Sequence, residues 1–412
     1  MTDPRADPDY TATAGGVAVA PLASAPDAVR SETTIPAQAT ALTHRRTRSV
    51  GATVLAIVGF IIVSLVTLAV LAYLIAGLGA IGVAIAGVMA LVPLAIVFLG
   101  MRWVDRWEPE PRSALLFAFL WGAGASVLIA LLVDAQVQGV VAAAGGPSGA
   151  AEFFGAAVQA PIVEELAKGI GVLILFWSVR RHFDGPVDGI VYAAWVGGGF
   201  AFTENILYFG VQLTEGGLFT AGTVETFVIR GFMSPFAHVM FTALIGAAVG
   251  LAAQRGSRFA LGAFVLGLVP AVLLHAFWNG ALFFVGDFYG YYLLVQVPLF
   301  LLAIAIVVLL RRQEVQLTQA RLAEYAQAGW LHPEEVGMLA TPSGRRAATA
   351  WAARAGAAGL MAAFIRDATR LAYARQRLLG GRDHIGTRLD EAQLLERVSA
   401  ARHALRANAP RD

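Results

Sequence analysis

Six ionisable side chains and two amides sit inside stretches otherwise built from apolar residues. Glu164, Glu165 and Lys168 follow Pro161 within a single run, and Glu204 and Asn205 close Phe200-Ala201-Phe202-Thr203. His238 stands in a third run, and His275 shares a fourth with Asn279. An ionisable group near the centre of a bilayer costs a few kcal/mol on insertion scales, so each one needs a reason. Carboxylates and histidines together can activate water. A glutamate serves as general base while histidine or asparagine steadies the oxyanion. The same set can instead hold a divalent metal such as zinc on His238, His275 and one glutamate, with Glu204 the chosen ligand and another glutamate as base. Spacing alone does not choose between these. No His-Glu-x-x-His pair is present, and neither Ser126 nor Ser234 has an obvious base.

Helical periodicity sharpens the set. Glu164 and Lys168 are four residues apart and Glu165 and Lys168 three, so either carboxylate can meet the ammonium. One is then held by the lysine and the other is left for the proton. His275 and Asn279 are also four apart, which predicts that both reach the same site. Lys168 is the chain's only lysine; the other permanent cations are arginines. At 1.5 Å of rise per residue, Glu164 and Glu165 lie roughly 15 Å into their span and Glu204 roughly 10 Å from the end of its own. His238 and His275 fall at a similar depth, so four helices place their polar groups in one layer of the outer half of the membrane.

The chain of 412 residues is 58% hydrophobic and 14% charged, with a mean hydropathy of +0.67. Soluble domains carry about 25% charged residues. There is no cysteine, which excludes disulfides, zinc–thiolate sites and thiol nucleophiles. Apolar runs near the ~20 residues that a bilayer requires suggest about eight spans. They run roughly 51–75, 80–101, 113–133, 154–177, 187–211, 227–253, 259–284 and 289–310. Arginines mark alternate connections: Arg45, Arg46 and Arg48; Arg102, Arg106 and Arg112; Arg180 and Arg181; Arg255 and Arg258; Arg311 and Arg312. Of the connections between, 134–153 and 212–226 carry acids and no lysine or arginine, which predicts that both termini are cytoplasmic. Arg230 breaks the alternation and reads as a snorkelling side chain. Asp188, after Gly185-Pro186, reads as a helix N-cap. Trp103, Trp107 and Trp177 suit an aromatic belt.

These features predict an all-α fold: a polytopic membrane helix bundle with a small C-terminal helical cytoplasmic domain. Residues 1–48 read as a disordered tail, 49–312 as the transmembrane domain with its motif core at 158–284, and 313–412 as the helical cytoplasmic domain. Leu331-His332-Pro333-Glu334-Glu335 reads as a helix start, and Gly380-Gly381 as a break. His332, His384 and His403 read as surface histidines. Three plainer readings stand beside catalysis. The glutamates and lysine could be a structural ion-pair network, Glu204 and His238 could simply bind neighbouring helices, or the layer could serve a proton-coupled transporter or channel. Against the last, no inverted repeat is visible, and the first three expected spans hold almost no polar residues.

Four segments carry a resemblance. Ala160-Pro161-Ile162-Val163-Glu164-Glu165-Leu166-Ala167-Lys168-Gly169 resembles the Glu-Glu-x-x-Lys motif of the PrsW family of intramembrane proteases. Pro186 to Tyr192, running on to Gly199-Phe200-Ala201-Phe202-Thr203-Glu204-Asn205, resembles its second motif, Ser234-Pro235-Phe236-Ala237-His238 its third, and Leu274-His275-Ala276-Phe277-Trp278-Asn279 its fourth. Four motifs in order are specific where one would be weak. The family is distantly similar to the CAAX prenyl proteases and the CPBP proteins, which carry Glu-Glu-x-x-x-Arg and a histidine where this chain has Glu204. The resemblance implies an endopeptidase embedded in the cell membrane, with Glu164, Glu165, Lys168, Glu204, His238, His275 and Asn279 as its site. It also implies a single-pass membrane protein substrate, such as an anti-sigma factor, cut near the extracytoplasmic side. The family is usually classed with the metallopeptidases, so a divalent metal is an expected cofactor. The lipid bilayer is the other expected partner; nucleic acid is not one.

Overall fold

A computed structural model describes residues 50–146, 148–180, 182–255, 257–380 and 385–407. The expected tail at 1–48, with Arg45, Arg46 and Arg48, lies outside the described residues, as do Arg181, Gly381 and His384. Every regular element among the described residues is helical.

The first helix, α1 (Val50–Val104), has 55 residues and is interrupted at Gly79, which adopts φ 75° and ψ 154°. Only glycine takes that conformation at no steric cost, so one long apolar helix becomes two segments. Helix α2 (Arg112–Ala143) contains a π turn at Trp121–Ser126. Helix α3 (149–178) contains a second, at Gly155–Gln159, just before Pro161. Helix α4 is Pro186–Glu215. A helix α5 (221–233) ends in a π turn at Ile229–Met233. It is followed by α6 (Ala237–Arg255), α7 (Ala260–Ala281) and α8 (Phe288–Gln327).

Five stretches among the described residues are long and apolar enough to cross a membrane: Thr53–Val104, Arg112–Ala143, Ala221–Gln254, Ala260–Ala281 and Phe288–Gln327. The sequence pattern predicts eight, and the differences have physical causes. The first two expected spans, 51–75 and 80–101, lie on either side of Gly79 and fall together within the stretch Thr53–Val104. The fourth and fifth, in α3 and α4, are diluted by Glu164, Glu165 and Lys168, and by Asp188, Glu204 and five glycines. These two helices are nevertheless heavily buried, because their polar faces turn towards neighbouring helices.

Glycine sets how closely those neighbours approach. A Cβ built on Gly189 would lie 1.9 Å from the Gly246 carbonyl oxygen, and one on Gly250 would lie 2.3 Å from that of Gly185. Helices α4 and α6 therefore meet backbone to backbone, as small residues allow in membrane bundles. The start of α4 is fixed by Asp188. Its Oδ2 accepts the backbone N–H groups of Asp184 (2.6 Å) and Gly185 (2.8 Å). Asp188 is thus the third helical residue reaching back, with Gly185 as N-cap, rather than the N-cap expected from the sequence. The difference arises because Pro186 takes the first helical position, where its missing N–H costs nothing.

The described residues fall into two compact units, one running to Val315 and the other beginning at Gln316. The second unit comprises the end of α8 with α9 (Pro333–Leu339), α10 (Pro342–Arg354), α11 (Ala358–Leu379) and α12 (Ile385–Ala407). Its core includes Leu322, Tyr325, Leu339, Phe364 and Leu371. Glu335 binds the backbone N–H of His332 at 2.7 Å, capping α9 where the sequence places a helix start. Arg375 and Arg402, both mostly buried, donate to Glu324 (2.8 Å) and Glu335 (2.7 Å).

Candidate active site

Five helices of the first unit, α3 to α7, bring polar side chains to one place. Helix α3 supplies Glu164, Glu165 and Lys168. Their side chains face inward because Trp121, held in a slot over Gly171, donates its indole N–H to the Ala167 carbonyl (3.0 Å) on another face. The Lys168 ammonium is fully buried. It lies 2.6 Å from Glu165 Oε1, 3.4 Å from Glu164 Oε2 and 3.1 Å from His238 Nδ1. The Phe200 ring lies 4.2 Å beneath it. A buried ammonium is tolerated only with such partners.

Glu165 is fully engaged. Besides Lys168, it accepts the Thr242 hydroxyl at 2.9 Å and faces His275 Nδ1 at 3.0 Å. Glu164 is not: its Oε2 stands 3.9 Å from His238 Nδ1 and 3.9 Å from His275 Nε2. It also retains 8% exposure, against 0% for Glu165. The two glutamates point about 100° apart on the helix and meet different surroundings.

Helix α4 supplies Glu204, whose carboxylate is bonded to His238 Nε2 (2.8 Å) and to the Arg230 guanidinium. Arg230 also donates from Nε to Asn205 Oδ1 at 2.7 Å, and its guanidinium lies 4.0 Å over the Tyr208 ring. Arg230 is therefore a clamp on two consecutive polar residues of α4, not the snorkelling side chain expected. The π turn at Ile229–Met233 carries it, and such turns concentrate at functional sites. Its break in the arginine alternation was the signal in the sequence. Thr242, one turn after His238, was also missed.

The surrounding bonds set which histidine nitrogen carries hydrogen. His275 Nδ1–H donates to Glu165, leaving the Nε2 lone pair towards Glu164. His238 Nε2–H donates to Glu204, leaving the Nδ1 lone pair towards Lys168 and Glu164. Glu164, His238 and His275 can each offer one donor atom, all within 4.8 Å of one another. The glutamate that converges with the histidines is thus Glu164 rather than the expected Glu204, whose carboxylate is taken by Arg230 and the outer side of His238. The set suits a small divalent cation. Each histidine's outward N–H is held by a carboxylate, as in carboxylate–histidine–metal arrangements. One donor is shared, because His238 Nδ1 also serves Lys168.

Asn279 does not join this group. Its amide donates to the Ala156 carbonyl at 3.0 Å, so the expectation that it reaches the same site as His275 is corrected. The π turn before Pro161 presents that carbonyl to the side chain. Asn279 ties α7 to α3.

Residues 110–303 match the family described as PrsW family intramembrane metalloprotease. Curated relatives agree. Protease PrsW of Geobacillus kaustophilus (strain HTA426) is 35% identical over 203 residues, which are 48% of this chain and 78% of that protein. The namesake in Clostridioides difficile (strain 630) is 31% identical over 159 residues, 38% of this chain and 62% of its own. That of Bacillus subtilis (strain 168) is 29% identical over 175 residues, 42% of this chain and 72% of its own. No solved structure matches the chain.

Proposed function

Since the chain belongs to the PrsW family and is a multi-pass membrane protease, we propose that it is an endopeptidase acting on single-pass membrane proteins, of which an anti-sigma factor is an example. The observation that carries the mechanism is the bonding of Glu164: its nearest polar partner is Lys168 at 3.4 Å, whereas Glu165 and Glu204 are each held by shorter bonds. In this reading Glu164 removes the proton from a water molecule as that water attacks the scissile carbonyl, and returns it to the departing amine. Lys168 and Glu165 hold α3's polar face in register, and Glu165 fixes the His275 tautomer. Glu204 does the same for His238 under the Arg230 clamp. Both histidines, their N–H groups held outward by carboxylates, turn lone pairs into the site, which suits a cation there. In a metal-bound form Glu164, His238 and His275 would hold a divalent cation, which would supply Lewis acidity to that carbonyl and a more acidic water; Glu164 would then be a ligand rather than the base, and Lys168 would rest on its glutamates alone.

Co-expressed with a single-pass substrate, the wild-type chain is expected to release a truncated product. Glu204→Gln should not, at equal protein level and membrane insertion. Proton-coupled uptake into vesicles without any proteolysis would instead favour the transporter reading.

We further propose the eight-span arrangement, a protease domain at 49–312, a cytoplasmic helical domain at 313–412, and cleavage near the extracytoplasmic side. The arginine alternation supports this orientation. Reporters fused after Arg181 and Arg312 should both read cytoplasm, and one at Gly217 should read outside. The same side for Arg181 and Gly217 would overturn the span count.

A further inference from the structure

Between α2 and the start of α3 lies a groove of about 360 Å³, lined by Asp134, Gln138, Glu152, Ala156, Gln159 and Phe283. It is outside the catalytic layer and shares α3 with it. Ala156, in its wall, is the residue whose carbonyl Asn279 binds. Ala160 also lines the groove, and Glu164 follows it by one helical turn on the same face, roughly 6 Å along the axis. Phe283, at the other wall, is one turn beyond Asn279. The volume falls within the range that holds a short bound segment.

The groove's charge has one sign. Asp134 and Glu152 stand on opposite walls. The connections on this side of the bundle carry Asp134, Glu152, Glu215, Glu225 and Asp287, and neither lysine nor arginine. Gln138 and Gln159 add donors and acceptors. A segment drawn out of a membrane helix for cleavage exposes backbone N–H and C=O groups that must find partners in the protein, and the two amides offer them.

We propose that this groove seats the extended juxtamembrane flank of the substrate and selects a basic side chain there. Asp134 and Glu152 act as the charge-reading pair, and Gln138 and Gln159 bind the peptide backbone. The inference rests on the protease reading for its substrate, but it is a statement about binding. Two partly screened ion pairs support a roughly tenfold preference.

The test uses the full chain carrying Glu164→Gln, in nanodiscs of neutral phosphatidylcholine. The probes are fluorescent synthetic peptides with a Leu/Ala membrane span and an outer flank bearing two arginines, two glutamates or two serines. The arginine flank should bind about tenfold tighter than the glutamate flank. Adding Asp134→Asn and Glu152→Gln should equalise the peptides, and Asp134→Arg with Glu152→Arg should invert the order. Equal binding of all three peptides to the intact groove would overturn the proposal, as would an arginine preference that survives both pairs of substitutions. Because binding is read without turnover, these results separate from the protease test. Cleavage by the wild-type chain with no flank preference removes the groove alone, whereas a flank preference in a chain that cleaves nothing removes the protease reading alone.

Discussion

Glu164→Gln is expected to lower peptide-bond cleavage by about 10²- to 10⁴-fold, the range associated with a positioned general base, in a protein that still folds and inserts. The reason lies in its bonding. Its nearest polar partner is Lys168 at 3.4 Å, and both histidines stand back at 3.9 Å. A neutral amide of the same shape breaks no short bond there, but it cannot accept a proton. Glu165→Gln should behave differently. That side chain accepts from Lys168, His275 and Thr242 at 2.6–3.0 Å, so its loss disturbs a histidine and a lysine together and costs stability as well as rate. Turnover and thermal unfolding of both variants, measured in the same detergent, decide the matter. If Glu164→Gln cleaves near the wild-type rate while Glu165→Gln is dead, the two roles are exchanged. If both cleave normally, water is activated elsewhere.

The second large effect is on stability. Lys168→Met removes the only ammonium from a site holding Glu164, Glu165 and Glu204. Breaking a buried ion pair from one side typically costs about 3–5 kcal/mol, because the remaining charge is left uncompensated. Combining it with Glu165→Gln restores the charge balance, and the amide can still meet Thr242. The double variant should therefore recover most of the loss, with a coupling well above the ~0.5 kcal/mol seen between independent sites. Unfolding followed by intrinsic tryptophan fluorescence would measure all four members of the cycle. A stable Lys168→Met protein, or strictly additive losses, would mean that the pair does not hold the site together.

Much of this was legible in the sequence because membrane insertion makes polar residues conspicuous. Glu164, Glu165, Lys168, Glu204, His238 and His275 each interrupt an apolar run, and the structure brings all six together. What periodicity could not supply was pairing across helices. Arg230 looked like an interfacial anchor because nothing in its own helix reveals that Glu204 and Asn205 face it. Asn279 shares a face with His275, yet the π turn before Pro161 offers it a backbone carbonyl instead. Likewise, Glu204 and Glu164 are equally plausible third donors to the two histidines until Arg230 is seen to occupy the former. From the sequence Asp188 reads as the N-cap, three positions from its actual place, because its side chain reaches backwards along the chain. The break at Gly79, by contrast, falls in the gap that the sequence leaves between its first two spans.

The backbone seam between α4 and α6 bears on how a substrate could enter. Glu204 and His238 ride on these two helices, and a Cβ at Gly197 would lie only 2.9 Å from the His238 carbonyl oxygen. Close-packed interfaces of this kind do not deform gradually. Sliding α4 against α6 would drive carbonyl oxygens into the facing chain within a fraction of an ångström. Helix α2 is locked onto α4 in the same way, a Cβ at Gly122 lying 1.9 Å from the Val196 carbonyl oxygen and one at Gly199 lying 2.2 Å from that of Phe119. Helices α2, α4 and α6 thus act as one rigid wall behind Glu204 and His238, and a peptide's way in does not run between them.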